Sequence, residues 1–504
     1  MSAAASENLY ACFAAAFPAA GACLLETPDG ARWHYGEIET ESARLARFLR
    51  EAGLAPGDRL SAQIEKSVAG LVLYLACLRA GLVFHPLNPA YTAAELEFFL
   101  GDAAPAAVVA DPARAAEVFA LAARAGAQRH YTLDAQGRGS LWEASRTSAA
   151  ECPIAAVDEH ALAALLYSSG TTGKPKGIGL THRNLAVNAR ALSAAWGFTR
   201  EDVLLHALPM FHVHGLFIAL GCVLLSGSRM LFLPKFDTEA AIRALPHATA
   251  MMGVPTYYTR LLAHPRFDAA LCRRVRLFTC GSAPLLPDSF HAFEARTGHR
   301  LLERYGMTET SVITSNPLRG DRRPGAVGLP VAGTELRIVD DADRPVAETA
   351  IGHVQVRGPS VFGGYWRRPD KTREDFTADG WFRTGDDGFL DADGYLHLVG
   401  RGKDLVISGG LNVYPSEVET VLDALPGIRE SAVVGLPHPD FGEQVVAVIV
   451  AEDEARPEEE AIRAAVRTQL AAYKQPKRYV FVDALPRNAM GKVQKNVLRE
   501  TLAT

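Results

Sequence analysis

Three things scarce or missing in this 504-residue chain narrow its reading before any motif is considered. Cysteine is sparse and unpaired in pattern. The seven, Cys12, Cys23, Cys77, Cys152, Cys222, Cys272 and Cys280, are scattered and never spaced as CxxC. That argues against a disulfide framework or a thiolate zinc site and predicts buried thiols in a reducing compartment. Cys280 is expected to pack like the rest, because no activating base stands beside it. Basic charge is not in excess either. Lys and Arg number 52 against 57 Asp and Glu, a formal net charge of -5. Neither a nucleic-acid partner nor an anionic membrane surface is expected from that balance. Long apolar runs are missing too, since the strongest stretches, 71–78 and 216–225, fall short of the roughly 20 residues a membrane helix needs.

The alanine-rich N-terminal stretch is expected to be a first helix, not a signal peptide. It has no basic region, Glu7 precedes its apolar part, and Pro18 and Gly21 interrupt it. A cytoplasmic protein is the expectation. Hydrophobic residues at 48% and charged residues at 22% leave ample material for a core, and the length suggests two or more domains.

Short strand-like and helix-like segments alternate through most of the chain. Residues 161–168, 203–208, 230–233, 248–253 and 275–280 read as strands, and 184–195 and 255–263 as helices. This alternation predicts an α/β fold: a large N-terminal domain with substantially parallel β-sheets flanked by helices. The last hundred or so residues change texture toward a small α+β C-terminal domain. Strands are expected at 395–399, 405–408, 431–436, 445–450 and 478–482. One helix is opened by Pro415, with Ser416 and Glu419 at capping-box spacing, and another covers 458–473. The expected division is residues 1–400, a hinge at 401–403, and 404–504.

The most informative stretch is Tyr167-Ser168-Ser169-Gly170-Thr171-Thr172-Gly173-Lys174-Pro175-Lys176-Gly177. Its glycines allow tight bending and close approach to a ligand, its hydroxyls donate hydrogen bonds, and Lys174 and Lys176 bring positive charge. Such a loop suits a polyphosphate. It is not a Walker A loop, because only two residues separate Gly170 from Gly173 and Lys174 is followed by proline.

This loop resembles the signature of the adenylate-forming superfamily, which holds acyl-CoA synthetases, peptide-synthetase adenylation domains and luciferases. The likeness covers nearly the whole chain. It continues through Tyr305-Gly306-Met307-Thr308-Glu309-Thr310, Thr384-Gly385-Asp386, Gly400-Arg401-Gly402-Lys403-Asp404 and Pro486-Arg487-Asn488-Ala489-Met490-Gly491-Lys492. The resemblance implies ATP, Mg2+ and coenzyme A as the small molecules used, and an acyl-adenylate as intermediate. Lys492, Thr308 and Glu309 would be catalytic, with Glu309 also the carboxylate for magnesium. Ser168, Ser169, Gly170, Thr171, Thr172, Gly173, Lys174 and Lys176 would hold phosphates. Gly281, Ser282, Ala283, Glu303, Arg304 and Tyr305 would form the adenine slot, Asp386 would take the ribose hydroxyls, and Arg401 would add a ribose or phosphate contact. Lys403 would be the hinge about which the small domain alternates between two half-reactions. Ser408, Gly409 and Gly410 would line the thiol tunnel. A lysine acetyltransferase acting on Lys492 would remove its charge and stop adenylation.

The strings HALPMFHVHGLF, MGVPTYYTRLL, ERYGMTET and LPRNAMGKVQKNVL are similar to those of malonyl-CoA synthetases. That resemblance implies malonate, and methylmalonate as a second substrate. A pocket for a fatty or aromatic monoacid should be mostly apolar, and Arg260 does not fit one. Its guanidinium matches a carboxylate fork, although on spacing alone it could equally be a helix-surface arginine. His206 and His214 would assist it, and Met307 and Val213 would limit the substituent at C2. Other readings remain open: a synthetase for another small, medium-chain or aryl acid, a carrier-loading adenylation enzyme, or a non-catalytic nucleotide-binding regulator.

Overall fold

A computed structural model of the chain describes residues 8–168, 175–401, 404–408, 411–438, 442–452, 456–470 and 472–503. Two large sheets dominate the first 330 or so residues. One has six strands, in the order Arg129–Thr132, Ala107–Ala110, Arg59–Gln63, Val83–Pro86, Leu162–Ser168, Lys176–Thr181. All its pairs are parallel except the last, a hairpin whose register sets Ser168 opposite Lys176. The other has nine strands and is parallel from Leu302–Met307 through Cys23–Glu26, with antiparallel edges. Parallel strands need helical crossovers and are buried on both faces. Their apolar sequences follow from that: Ala250–Gly253 and Leu277–Cys280 are buried at every position.

The helix Val68–Ala80 shows what the shorter apolar run at 71–78 is for. Eleven of its residues are buried, around the whole circumference, as expected of a helix inside a core instead of on its surface. Ser67 caps its first turn through Gly70 N–H, and Gly81 ends it at φ 76°. The second run becomes a π-turn, His214–Ala219, followed by the helix Leu220–Ser226. Among the described residues no helix is long and apolar enough to cross a membrane.

A four-stranded antiparallel sheet follows, ending in Leu396–Arg401. A separate five-stranded sheet is built from Val406–Ser408, Leu411–Val413, Ile428–His438, Gly442–Ala451 and Arg478–Phe481. The architecture is the expected one, mainly parallel sheets flanked by helices plus a small C-terminal domain. The segment boundaries agree to within a few residues, with one local exception. Ser416 and Glu419 do not form a capping box. Pro415 occupies the first helical turn, so Tyr414 is the N-cap. Ser416 Oγ instead donates to Val399 O, and Glu419 accepts from Val433 N–H at 2.7 Å.

One ion pair ties the nine-stranded sheet together at its base. Asp202, just before Val203–His206, accepts from Arg276 at 2.7 and 2.8 Å and from Thr249 Oγ1 at 2.7 Å. Arg276 also donates to the carbonyls of Trp196 and Gly197. Burial alone would raise the Asp202 carboxyl, but these hydrogen bonds outweigh it and hold the group below its ordinary value. A depressed carboxylate stabilises the fold above its unfolded pKa, and this stabilisation fades as pH falls through the folded value. Asp202→Asn is expected to lower stability by on the order of 2 kcal/mol. That is less than the ~3–5 of a fully buried pair, because Arg276 is partly in solvent. Urea unfolding at neutral pH and at about pH 2 checks this: the wild type should approach the variant in strong acid.

Candidate active site

The strand ends of both large sheets open onto a cavity of about 950 Å³, where open α/β sheets place ligands. From the six-stranded sheet come His85, Pro86, Tyr167 and Ser168, and from the nine-stranded sheet come Ser282, Arg304, Met307, Thr308 and Glu309. Thr384, Gly385 and Asp387 reach it from the four-stranded sheet, and Asn488, Met490 and Lys492 from the C-terminal domain.

The 305–310 motif is shaped by a tight reversal between Leu302–Met307 and Ser311–Ser315. A Cβ on Gly306 would lie 1.9 Å from Ser311 O, so glycine is required there. The turn leaves Thr308 and Glu309 on the cavity wall, Glu309 at 6% exposure and with its carbonyl accepting from Phe362 N–H at 2.8 Å. Tyr305 sends its hydroxyl to the Asp386 carboxylate. Those two side chains are therefore brought together, just behind the lining residues Arg304, Gly385 and Asp387.

A cluster of imidazoles stands on another wall. His214 is fully buried, accepts from or donates to Ser282 Oγ through Nδ1 at 3.2 Å, and has no partner at Nε2. Burial, then the nearby Arg304, pushes it well below the usual imidazole range, so it is neutral. Arg304 is itself buried, and burial pulls it down to about 10. Glu303, its neighbour on the opposite face of the strand, is pushed up to about 8 by burial and is protonated at neutral pH. Val213 and Met307 line the cavity as well; Gly281 and Ala283 flank Ser282 without doing so.

Lys492 is carried by a compact turn. Asn488 Oδ1 accepts from the N–H groups of Met490 and Lys492 at 3.0 Å each, and Asn488 N–H returns to Lys492 O at 2.9 Å. Met490, 5% exposed, plugs into the core of the large domain. Gly491 is at φ 77°, and a Cβ there would lie 3.1 Å from Thr256 Oγ1. The turn thus sits on the first turn of the helix Pro255–Leu262.

Other expected residues stand elsewhere. Lys176 donates to Tyr365 Oη at 2.9 Å and pairs with Asp375 at 3.4 Å, at the edge of the cavity. His206 lines neither this cavity nor the next, so it does not face the acid as expected. Its burial beneath Val203–His206 engages both ring nitrogens within the protein. Ser408 is buried in the C-terminal sheet away from both cavities. Ser169, Gly170, Thr171, Thr172, Gly173, Lys174, Lys403, Gly409, Gly410 and the side chain of Arg401 lie outside the described residues.

A second cavity of about 300 Å³ adjoins the first, sharing Pro86, Leu87, Phe211 and Ala489 with it. Arg260, exposed and without an ion-pair partner among the described residues, stands on its wall beside Tyr257, which stacks on Phe236 at 4.0 Å. So does Lys66, which sequence reasoning missed. Lys66 is 9% exposed, with Nζ 2.7 Å from His206 Nδ1 and 2.8 Å from His206 O. The signal was available: a lysine directly before the cap of a helix that is apolar apart from Arg79 cannot easily reach solvent.

Fold and cavity together fit a nucleotide-dependent ligase with a small C-terminal domain. The chain belongs to the AMP-binding enzyme family, which matches residues 13–366, with the AMP-binding enzyme C-terminal domain at 417–492. It is an ATP-dependent, AMP-forming ligase of the adenylate-forming superfamily, close to the malonyl-CoA synthetases. A sulfoacetate–CoA ligase of Cupriavidus necator is 36% identical, over 94% of this chain and 93% of its own. A malonate–CoA ligase of Arabidopsis thaliana is 34% identical over 99% and 90%. The crystal structure of ATP-bound MatB from Rhodopseudomonas palustris is 49% identical and covers 99% of each chain with a TM-score of 0.97; apo MatB superposes with 0.85.

Gly491→Ala should preserve the fold but disturb the seating of Lys492, through both the positive φ and the Thr256 contact. A drop of about tenfold in the rate of pyrophosphate exchange into ATP, at unchanged melting temperature, is expected.

Proposed function

We propose that this chain joins malonate to coenzyme A through a malonyl-adenylate. A carboxylate oxygen of the acid attacks the α-phosphorus of ATP and pyrophosphate leaves. The thiol sulfur then attacks the acyl carbon, AMP leaves, and the thiol proton passes to solvent. The first step brings two anions together, so it needs positive charge and alignment. Lys492 supplies the charge where carboxylate and α-phosphate meet, and Thr308 holds an α-phosphate oxygen. Ser168 and the 169–174 loop take the outer phosphates. Asp386, oriented by Tyr305, accepts from the ribose hydroxyls, with Arg401 beside it on the same ladder. Gly281, Ser282 and Ala283 with Glu303 and Arg304 shape the adenine side.

Glu309 is the carboxylate offered to a magnesium ion. Among the described residues no three His, Cys, Asp or Glu side chains are grouped to hold a metal by themselves. One protein carboxylate plus phosphate oxygens and water is the donor set magnesium favours in nucleotide sites, and the ion would offset phosphate charge there. Residues 401–403 form the hinge in this reading, separating 1–400 from 404–504. After rotation Ser408, Gly409 and Gly410 line the approach of the thiol. Acetylation of Lys492 by a lysine acetyltransferase would leave ATP binding intact and stop adenylation.

The observation that carries this reading is the meeting of Lys492 from the small domain with Thr308 and Glu309 in one cavity. Malonate is supported by Arg260 on the wall of the adjoining cavity, within the likeness to the malonate ligases. A second reading, a ligase for a monocarboxylic acid, is favoured by the exposure of Arg260, because an exposed pair contributes little. AMP release with malonate, methylmalonate, acetate and octanoate, repeated on Arg260→Ala, separates the two. Malonate should lead and should lose at least tenfold in kcat/KM in the variant. If acetate or octanoate leads and the variant is silent, the acid is wrong while the chemistry stands. Lys492→Ala should lower pyrophosphate exchange at least 100-fold yet still convert a supplied acyl-adenylate to thioester.

A further inference from the structure

We infer that Lys66 recognises the second carboxylate of the acid and that His206 is its positioning residue. The inference rests on the dicarboxylate reading above and deepens it. An ammonium has three N–H donors and no acceptor. In Lys66 one is directed to His206 Nδ1 and one to His206 O. No other hydrogen bond is made by this nitrogen among the described residues, and no carboxylate lies within ion-pair distance of it. Glu65, next in the chain, is exposed and unpaired with it. The remaining neighbour is the face of Phe232, with Nζ 4.4 Å from the ring centroid. Burial holds the Lys66 ammonium well below its ordinary value, and an anion joining it would favour the charged form. Lys66 is one of the residues that line the 300 Å³ cavity, together with Arg260 and Lys235. The rest of that wall is mostly apolar but also carries Glu65, Ser67 and Tyr257, none of them hydrogen-bonded to Nζ among the described residues.

His206 is built to hold this cation. Its Nε2 is 3.0 Å from Gly215 O, a carbonyl that only accepts, so the ring proton sits on Nε2. Nδ1 is then the free lone pair facing Lys66. Gly215 is fixed in turn, since a Cβ there would lie 2.1 Å from Pro209 O. The ring therefore cannot turn to become a donor to the acid without breaking the π-turn contact. An acid with an apolar tail would leave the ammonium desolvated and unpartnered, whereas a second carboxylate completes it. Discrimination then comes as much from rejection of monoacids as from attraction of dianions.

The test measures kcat/KM in pyrophosphate exchange with malonate and with butyrate for wild type, Lys66→Met, Lys66→Gln and His206→Ala, alongside KM for ATP and the melting temperature. Lys66→Met should lose at least 100-fold with malonate, chiefly through KM, while butyrate is unchanged or improved and KM for ATP is constant. Lys66→Gln, which keeps donors without charge, should show the same selectivity if the methionine variant fails to fold. His206→Ala should weaken malonate about tenfold and leave butyrate unaffected. Equal losses for both acids, or none for either, in a folded variant of a malonate-preferring wild type would overturn the role of Lys66 alone. A wild type that prefers butyrate would overturn the dicarboxylate reading and this inference with it.

Discussion

The turn at residues 488–492 has to be pressed against the large domain for the site to be whole, because its lysine serves groups nearly two hundred residues away in the chain. What holds it there is modest. Met490 inserts into the main core, and full burial of such a side chain contributes about 1.5–3 kcal/mol. Gly491 fits over Thr256, which a methyl group would crowd at 3.1 Å. A contact of this strength is compatible with the domain alternation proposed above. The chain superposes better on ATP-bound than on apo MatB.

Everything the turn meets is prepared by the sheets. Parallel strands deliver their carboxyl ends to one side, so Ser168, Ser282 and Met307, far apart in sequence, converge without any loop longer than local turns to place them. Part of the unusual backbone lies on the cavity wall. Ser282 is at φ 72°, Ser311 at φ 57° and Gly385 at φ 74°, and conformations of this kind concentrate at ligand sites.

Much of this was legible in the sequence. Buried strands such as 162–168 and 277–280 announce themselves by apolar runs ended by glycine or serine, and the nucleotide motifs lie where strands end. The Asn488–Lys492 string was legible as chemistry, though its docking through Met490 was not, since a lone methionine carries no directional pattern. Ser416 and Glu419 misled because capping-box spacing says nothing about which residue precedes the first turn, and Pro415 settled that. His206 misled for a related reason. A histidine at a strand end near a pocket motif reads as a ligand, but whether its nitrogens are already committed depends on partners 140 residues away. Lys66 went unseen because charge is ordinarily a surface feature, and only the burial of the helix that follows it makes the position exceptional.

The hydrogen bond from Tyr305 to Asp386 has a mechanical side. Asp386 pairs directly with Arg401 across the antiparallel ladder, and Arg401 is the last strand residue before the proposed pivot. The carboxylate expected to grip the ribose is therefore one rung from the axle proposed for the small domain. Loss of AMP would slacken the rung and the axle together, so product departure and reopening can be a single event that requires no messenger between them.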